Sequence, residues 1–341
     1  MLKSDRKNLD LIYNRIASAF DLFLPIKKAG EVNYGKYDSN AEASIDTLKT
    51  VKSAKDFFFP TYETLMGFKT TKDNIEIVDT RKEVNPFVIF GVRACDFKSF
   101  EILDNVFLQE PVDTYYKARR DAGIIVTHAC NRPEESCFCS VFGIDASEPK
   151  GDITLYTDKE NAYFKVNTAK GEKVLDLFKD LLSDGGEKEV ETIKENIKKI
   201  IDRLPYKKLD LSRFKEENLN ELFNSSKWQS LSEACLGCGT CTFVCPTCQC
   251  FDIRDVKAKD GVTRCRCWDS CMYSDFTLMA HGNNRTTQLQ RYRQRFMHKL
   301  VYYPSQYNGT TSCVGCGRCV NKCPQNLNII KVILALGEKN D

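Results

Sequence analysis

Several features are missing from this 341-residue sequence, and each absence narrows what the chain can be. Its opening stretch, MLKSDRKNLDLIYNRIASAF, has no uninterrupted apolar core and no small-residue cleavage site, so it does not read as a signal peptide. No run approaches the roughly 18 apolar residues of a membrane-spanning helix. Together these absences make a cytoplasmic protein the expectation. A charge excess is also lacking: 50 basic against 47 acidic residues leave a formal net charge of +3. That balance gives no whole-chain electrostatic case for nucleic acid or a membrane surface. There is no GxGxxG, no Walker motif and no Gly-rich flavin loop, so nothing supplies an independent nucleotide or substrate site. His128 and His298 have no evident triad partners.

Cysteine, by contrast, is abundant, with 17 in the chain. In a secreted protein this would suggest a disulfide framework. Here the export signal is absent and the total is odd, and a reducing compartment keeps thiols free for metal. The stretch from Cys235 to Pro246 reads CLGCGTCTFVCP, and Cys313 to Pro324 reads CVGCGRCVNKCP. Each copy has three cysteines separated by two residues, a fourth after three more, and then proline. That is the ligand run of a bacterial-type [4Fe–4S] ferredoxin, in which the fourth cysteine of each run serves the other cluster. The spacing predicts one cluster on Cys235, Cys238, Cys241 and Cys323, and a second on Cys313, Cys316, Cys319 and Cys245. Gly237, Gly239, Gly315 and Gly317 let the backbone wrap closely around a cubane. Pro246 and Pro324 redirect the chain.

Composition places the chain among globular proteins, with 42% hydrophobic and 28% charged residues. The fold expected is α+β: an N-terminal mixed α/β domain over residues 1–205 and a C-terminal, mostly α-helical ferredoxin-like dicluster domain over residues 206–341. Residues 1 to about 70 read as mostly helical, with Leu9, Ile12, Ile16 and Phe20 near a 3.6-residue period and a second helix over Ala41 to Lys55. Phe57, Phe58 and Phe59 read as core packing. NIEIVD is a short strand, and Pro86 to Val92 and Ala122 to Cys130 are continuous apolar runs that suit buried strands. A helix is expected over Phe97 to Leu108 and a hairpin over Ile153 to Val166. Helices are also expected over Val174 to Leu182, Glu187 to Leu204 and Asn218 to Trp228. The long insert Thr247 to Thr311 is expected to be helical, through Asp275 to Ala280 and Thr287 to Tyr302.

Cys95 and Cys130 fall at the C-terminal ends of the two buried-type strands, where α/β proteins often bind ligands. With Cys137 and Cys139 they make one cluster's worth of thiols and a third [4Fe–4S] candidate. A structural Cys₄ zinc site and plain buried thiols are the alternatives. Cys248, Cys250, Cys265, Cys267 and Cys271 exceed the needs of two clusters. They either hold a further metal site or pack beside the clusters. The basic run His281 to Lys299 offers arginines to acids in the fold or to the cluster surroundings, and only weakly suggests nucleic acid.

The order GVRACD, HACNRPEESCFC, CLGCGTCTFVCPTCQCFDI, CWDSCMYSDFTLMAHGNNRT, RYRQRFMHK and CVGCGRCVNKCP resembles the iron–sulfur dicluster subunit of anaerobic sulfite reductases. It is similar also to the beta subunit of cytosolic NiFe sulfhydrogenases. The resemblance runs from about Phe87 to Ile330, and Cys265 and Cys267 depart from the wider pattern. It implies a non-catalytic iron–sulfur relay within an oxidoreductase complex. A flavin-bearing, NAD(P)H-oxidising subunit would stand on one side and a siroheme-containing subunit that reduces sulfite to sulfide on the other. In the hydrogenase relatives the far partner is a NiFe module. Neither nucleic acid nor a membrane span enters that picture.

Overall fold

A computed structural model describes residues 1–71, 73–81, 83–258 and 261–338. It is organised around one mixed eight-stranded sheet. The strand order is Ser183–Asp184, Leu2–Asp5, Asn161–Val166, Ile153–Thr157, Gly123–His128, Phe87–Val92, Asp21–Lys28, Glu31–Lys36. The four strands from Ile153–Thr157 to Asp21–Lys28 run parallel, and the outer pairings are antiparallel. The continuous apolar run at Phe87–Val92 is explained by burial on both faces. Val88 and Phe90 pack with Ile12, Tyr13 and Ile16 of the helix Leu9–Ala19 on one side. Phe87 and Ile89 pack with Phe58, Phe100 and Leu103 on the other. Successive strand residues point to opposite faces, and each large side chain so buried contributes about 1.5–3 kcal/mol. Phe58 and Phe59 are core residues, as expected.

The first 70 residues hold more strand than helix. Asp21–Lys28 and Glu31–Lys36 form a hairpin whose two-residue turn, Ala29 and Gly30, has φ of 51° and 83°. Positive φ at both turn residues matches the strand twist, but Ala-Gly is a weaker signal than Asn-Gly. No helix forms over Ala41 to Lys55 beyond a single 3₁₀ turn, Ala54–Phe57. Instead the Arg93 guanidinium donates to the carbonyls of Ile45 and Thr47, at 3.0 Å each. The helix after Val92 runs Ala94–Phe107, and the long amphipathic helix runs Glu187–Ile201. The helix expected over Val174 to Leu182 splits into Ala169–Leu175 and a 3₁₀ segment broken at Phe178. The one expected over Asn218 to Trp228 divides into Leu219–Asn224 and Lys227–Ser232.

The insert between the ferredoxin-like runs is not wholly helical. Phe251–Ala258 and Gly261–Trp268 form an antiparallel hairpin, which joins Tyr62–Thr70 and Ile75–Asp79 in a separate four-stranded sheet. Cys265 and Cys267 lie on this hairpin, two residues apart on the same strand. Asp275 to Ala280 is a 3₁₀ turn, Asp275–Thr277, running into a two-residue strand. The second half of the insert is helical: Gln288–Met297 opens with a capping box from Thr287 and Gln290, then widens into a π turn at His298–Tyr302. These helices and Ile329–Gly337 surround a second core built on Trp228, Phe296, Val301 and Ile333. Among the described residues no helix is long and apolar enough to cross a membrane.

Candidate iron–sulfur sites

The two cysteine runs adopt the same local backbone. Gly237 and Gly239 have φ of 65° and 72°, and Gly315 and Gly317 have 58° and 74°. These left-handed positions tolerate little but glycine. Each second glycine leads into a short helix, Thr240–Phe243 or Arg318–Lys322. In the second run the glycines are also pressed against a neighbour. A Cβ on Gly315 would meet the Phe138 carbonyl at 2.5 Å, and one on Gly317 would meet the Ser136 oxygen at 2.4 Å. The second run thus seats directly on the loop that carries Cys137 and Cys139, and the Phe138 N–H donates to the Gly315 carbonyl at 2.9 Å.

Thiols from distant parts of the chain converge. Cys235, Cys238, Cys241 and Cys323 line one cavity, closed by Met272, Tyr292 and Phe296. Cys95, Cys130, Cys137 and Cys139 line another, with Arg93, Arg318 and Cys316 at its wall. The two are alike in size, each with about 410 Å³ of atom-free space including its mouth. Cys245 and Cys319 are electrostatic neighbours of both Cys313 and Cys316. Cys316 therefore stands between the second set and the N-terminal one. The CFC spacing becomes intelligible here: Cys137 and Cys139 turn to the cavity, while Phe138 packs the opposite way into the helical core. Among the described residues no group of three or more His, Cys, Asp or Glu is gathered tightly enough for a single metal ion.

Hydrogen bonds reach the sulfurs directly. The Gln288 amide donates to Cys235 Sγ at 3.4 Å, and the Leu327 N–H to Cys323 Sγ at 3.2 Å. The Thr240 hydroxyl beside Cys238 holds that thiol below its ordinary range. Cys245 is held low as well, by its contact with Cys248 and by the nearby Lys299 and Arg295, whereas four other thiols are shifted the opposite way. Burial pushes Cys241, Cys316 and Cys130 up to about 11 and Cys139 up to about 12. Without iron these thiols hold their protons at neutral pH, so ligation releases them.

Charge gives an independent test of what these cavities suit. Lys55, Arg93, Arg295, Lys299 and Arg318 are all buried. Among the described residues only Arg318 has a carboxylate partner, a two-pronged pair with Asp96 at 2.5 and 2.7 Å. Arg295 donates to the Cys241 carbonyl at 2.9 Å, and its Nε and Nη1 are buried without a partner. Lys299 lies one turn further on the same helical face and donates to Thr247 and Ser312, at 2.9 Å each. Burial opposes the charge on Arg295, but the sulfurs of Cys241, Cys319, Cys248 and Cys245 outweigh it and hold the guanidinium protonated. A buried, unpaired cation costs several kcal/mol. Anionic thiolate clusters are the compensation that this arrangement suits.

Sequence reasoning offered the basic run to acids in the fold or to the cluster surroundings, and Arg295 takes the second place. Arg293 donates to the Phe223 carbonyl and lies 3.5 Å over the Phe223 ring, and Arg291 holds Arg285 and Gln288. These arginines satisfy carbonyls and an amide rather than acids. Lys55 gave no sequence signal, since it sits in an ordinary AKDFFF stretch. His128 is buried against the Thr157 hydroxyl at 2.9 Å and His298 is half-buried near Lys299; among the described residues neither forms a catalytic pair.

The chain is similar to known iron–sulfur proteins. The model of a 4Fe-4S dicluster domain matches residues 234–327. The sulfhydrogenase 2 subunit beta of Pyrococcus furiosus is 33% identical over 325 residues, covering 94% of this chain and 93% of that protein. No solved structure matches.

Proposed function

The chain belongs to the sulfhydrogenase beta-subunit family of iron–sulfur electron-transfer proteins, and from that premise we propose that it is the electron-transfer subunit of a hydrogenase-type complex. It would sit between a flavin-bearing, nicotinamide-oxidising subunit and a catalytic subunit. The observation that carries this is the near-full-length likeness, which spans the segment of the N-terminal thiols as well as the two ferredoxin-like runs. The expected sulfite-reducing complex has less support, because the relative found stands on the sulfhydrogenase side.

In this reading Cys235, Cys238, Cys241 and Cys323 hold one [4Fe–4S] cluster, and Cys313, Cys316, Cys319 and Cys245 hold a second. Cys95, Cys130, Cys137 and Cys139 hold a third. When bound, such clusters supply one-electron chemistry at potentials set by charge, hydrogen bonding and exposure. The chain's own residues do the rest. Gln288, Thr240 and the Leu327 amide stabilise thiolate at the first set. Arg295 and Lys299 neutralise charge between the first and second. Arg318 and Arg93 do so at the third. Cys316, shared by two neighbourhoods, orders the three sets in a row. The division at about residue 205 belongs to the same proposal, with one four-stranded sheet shared across it.

Anaerobic purification from the native host tests the assignment. Nickel and flavin in the co-purified subunits are the expected result. Siroheme absorption would return the chain to a sulfite-reducing complex, and purification without partners would contradict both. A nucleic-acid role would require salt-dependent DNA binding.

A further inference from the structure

Three more thiols meet at the foot of the Phe251–Trp268 hairpin. Strand pairing sets Phe251 opposite Trp268, and the Asp269 N–H donates to the Cys250 carbonyl at 3.0 Å. The residues flanking this closing pair, Cys250 and Cys271, are thereby brought together. Their sulfurs are close neighbours, and so is the Cys271 backbone N–H to the Cys250 sulfur. Cys248 is a further neighbour of Cys271 and touches the thiol of Cys245. Cys265 and Cys267 do not join them. They lie along the hairpin, opposite Arg254 and Asp252, with their sulfurs turned to those two carbonyls.

Cations converge on the same place. Lys55 Nζ donates to the Cys248 carbonyl at 2.8 Å and lies 3.5 Å from the centre of the Trp268 ring. Lys299 and Arg295 approach from the other side, and both count Cys248 among their neighbours. None of the three has a carboxylate partner among the described residues. Asp56, next to Lys55 in sequence, is engaged by Lys52. The eight cysteines of the paired runs give Arg295 and Lys299 anionic neighbours at Cys241, Cys319 and Cys313. For Lys55 the nearby sulfurs include Cys245, Cys248 and Cys250. A buried ammonium in that position favours negative charge beside it, which metal-bound thiolates supply.

We propose that Cys248, Cys250 and Cys271 are thiolate ligands of an additional iron–sulfur cluster, seated between the hairpin and the ferredoxin-like runs and adjoining Cys245. A single metal ion fits less well, because no set of three ligands is drawn to one point among the described residues. A cluster distributes its thiolates over several irons. Assembly consumes iron and inorganic sulfide, as at the other sites. Each thiol gives up its proton as its S–Fe bond forms, and the cysteine sulfur is not oxidised.

The test uses the full chain in its native complex, purified anaerobically. A Cys250→Ser/Cys271→Ser double variant should lose about two to four irons per chain with matching sulfide, while the electron paramagnetic resonance signals of the other clusters persist. Cys267→Ser should leave the iron content unchanged. If the double variant does not accumulate, iodoacetamide labelling of the native protein decides. Cys248, Cys250 and Cys271 should be protected before iron chelation and labelled after it, whereas Cys267 labels alike in both. Unchanged iron in the double variant, labelling of the three thiols in iron-replete protein, or stoichiometric zinc at this site would overturn the proposal. None of these outcomes bears on whether nickel or siroheme partners co-purify, so it can fail without the assignment of the complex failing.

Discussion

Arg318 and Asp96 show how much of this molecule is decided at single buried charges. The pair lies between the second and N-terminal thiol sets, with Cys316 and Cys95 as neighbours. Removing one partner of a buried ion pair leaves the other uncompensated, at about 3–5 kcal/mol. Asp96→Asn should therefore lower anaerobic denaturation stability by that amount, and an unchanged midpoint would show the guanidinium to be satisfied by the Thr50 carbonyl alone. Arg295→Met removes a positive charge that faces sulfurs of both runs. The adjacent cluster should become harder to reduce, its potential falling on the order of 60 mV, one factor of ten for a one-electron couple. A redox titration followed by electron paramagnetic resonance reads this directly. At this scale the sequence was only half legible. Spacing points to which cysteines belong together, because ferredoxin ligation has a fixed local pattern. Lys55, Arg295 and Arg318 acquire their meaning from residues up to 268 positions away, and no local pattern encodes that.

At the scale of elements, the loop around Cys137 and the second cysteine run behave as one unit. Gly315 has φ of 58° and no room for a Cβ, whereas Gly309 has φ of 78° and open space around it. Gly315→Ala should deplete iron from the N-terminal set as well as from its own. Gly309→Ala should cost only the backbone strain, about 1–2 kcal/mol. Iron analysis of the two variants side by side checks this, and equal iron loss in both would contradict it. The elements most readable in the sequence were those whose period stands alone: the buried strands at Phe87–Val92 and Gly123–His128, and the amphipathic helix Glu187–Ile201. The Phe251–Trp268 hairpin escaped. Its charged and cysteine-rich strands lack a clear alternation, and its pairing partner, Tyr62–Thr70, lies nearly 200 residues upstream in the register that joins Glu63 to Arg266.

For the whole molecule, the N-terminal thiol set lies at the strand ends and the first set against the helical core, so the fold and its cofactors should be interdependent. The two tryptophans report on this from different places. Trp228 is buried in the helical core, with its indole N–H on the Leu222 carbonyl, and Trp268 closes the hairpin against Phe59. Anaerobic chelation of iron should shift emission from both to the red, and stripping iron without any shift would show that the core stands without its clusters. The most direct measurement is the iron and acid-labile sulfide content of anaerobically purified chain. Three occupied thiol sets require at least about twelve of each per chain. About eight or fewer would mean that at most two cubanes form, and the row of sites from Cys235 to Cys95 would be broken.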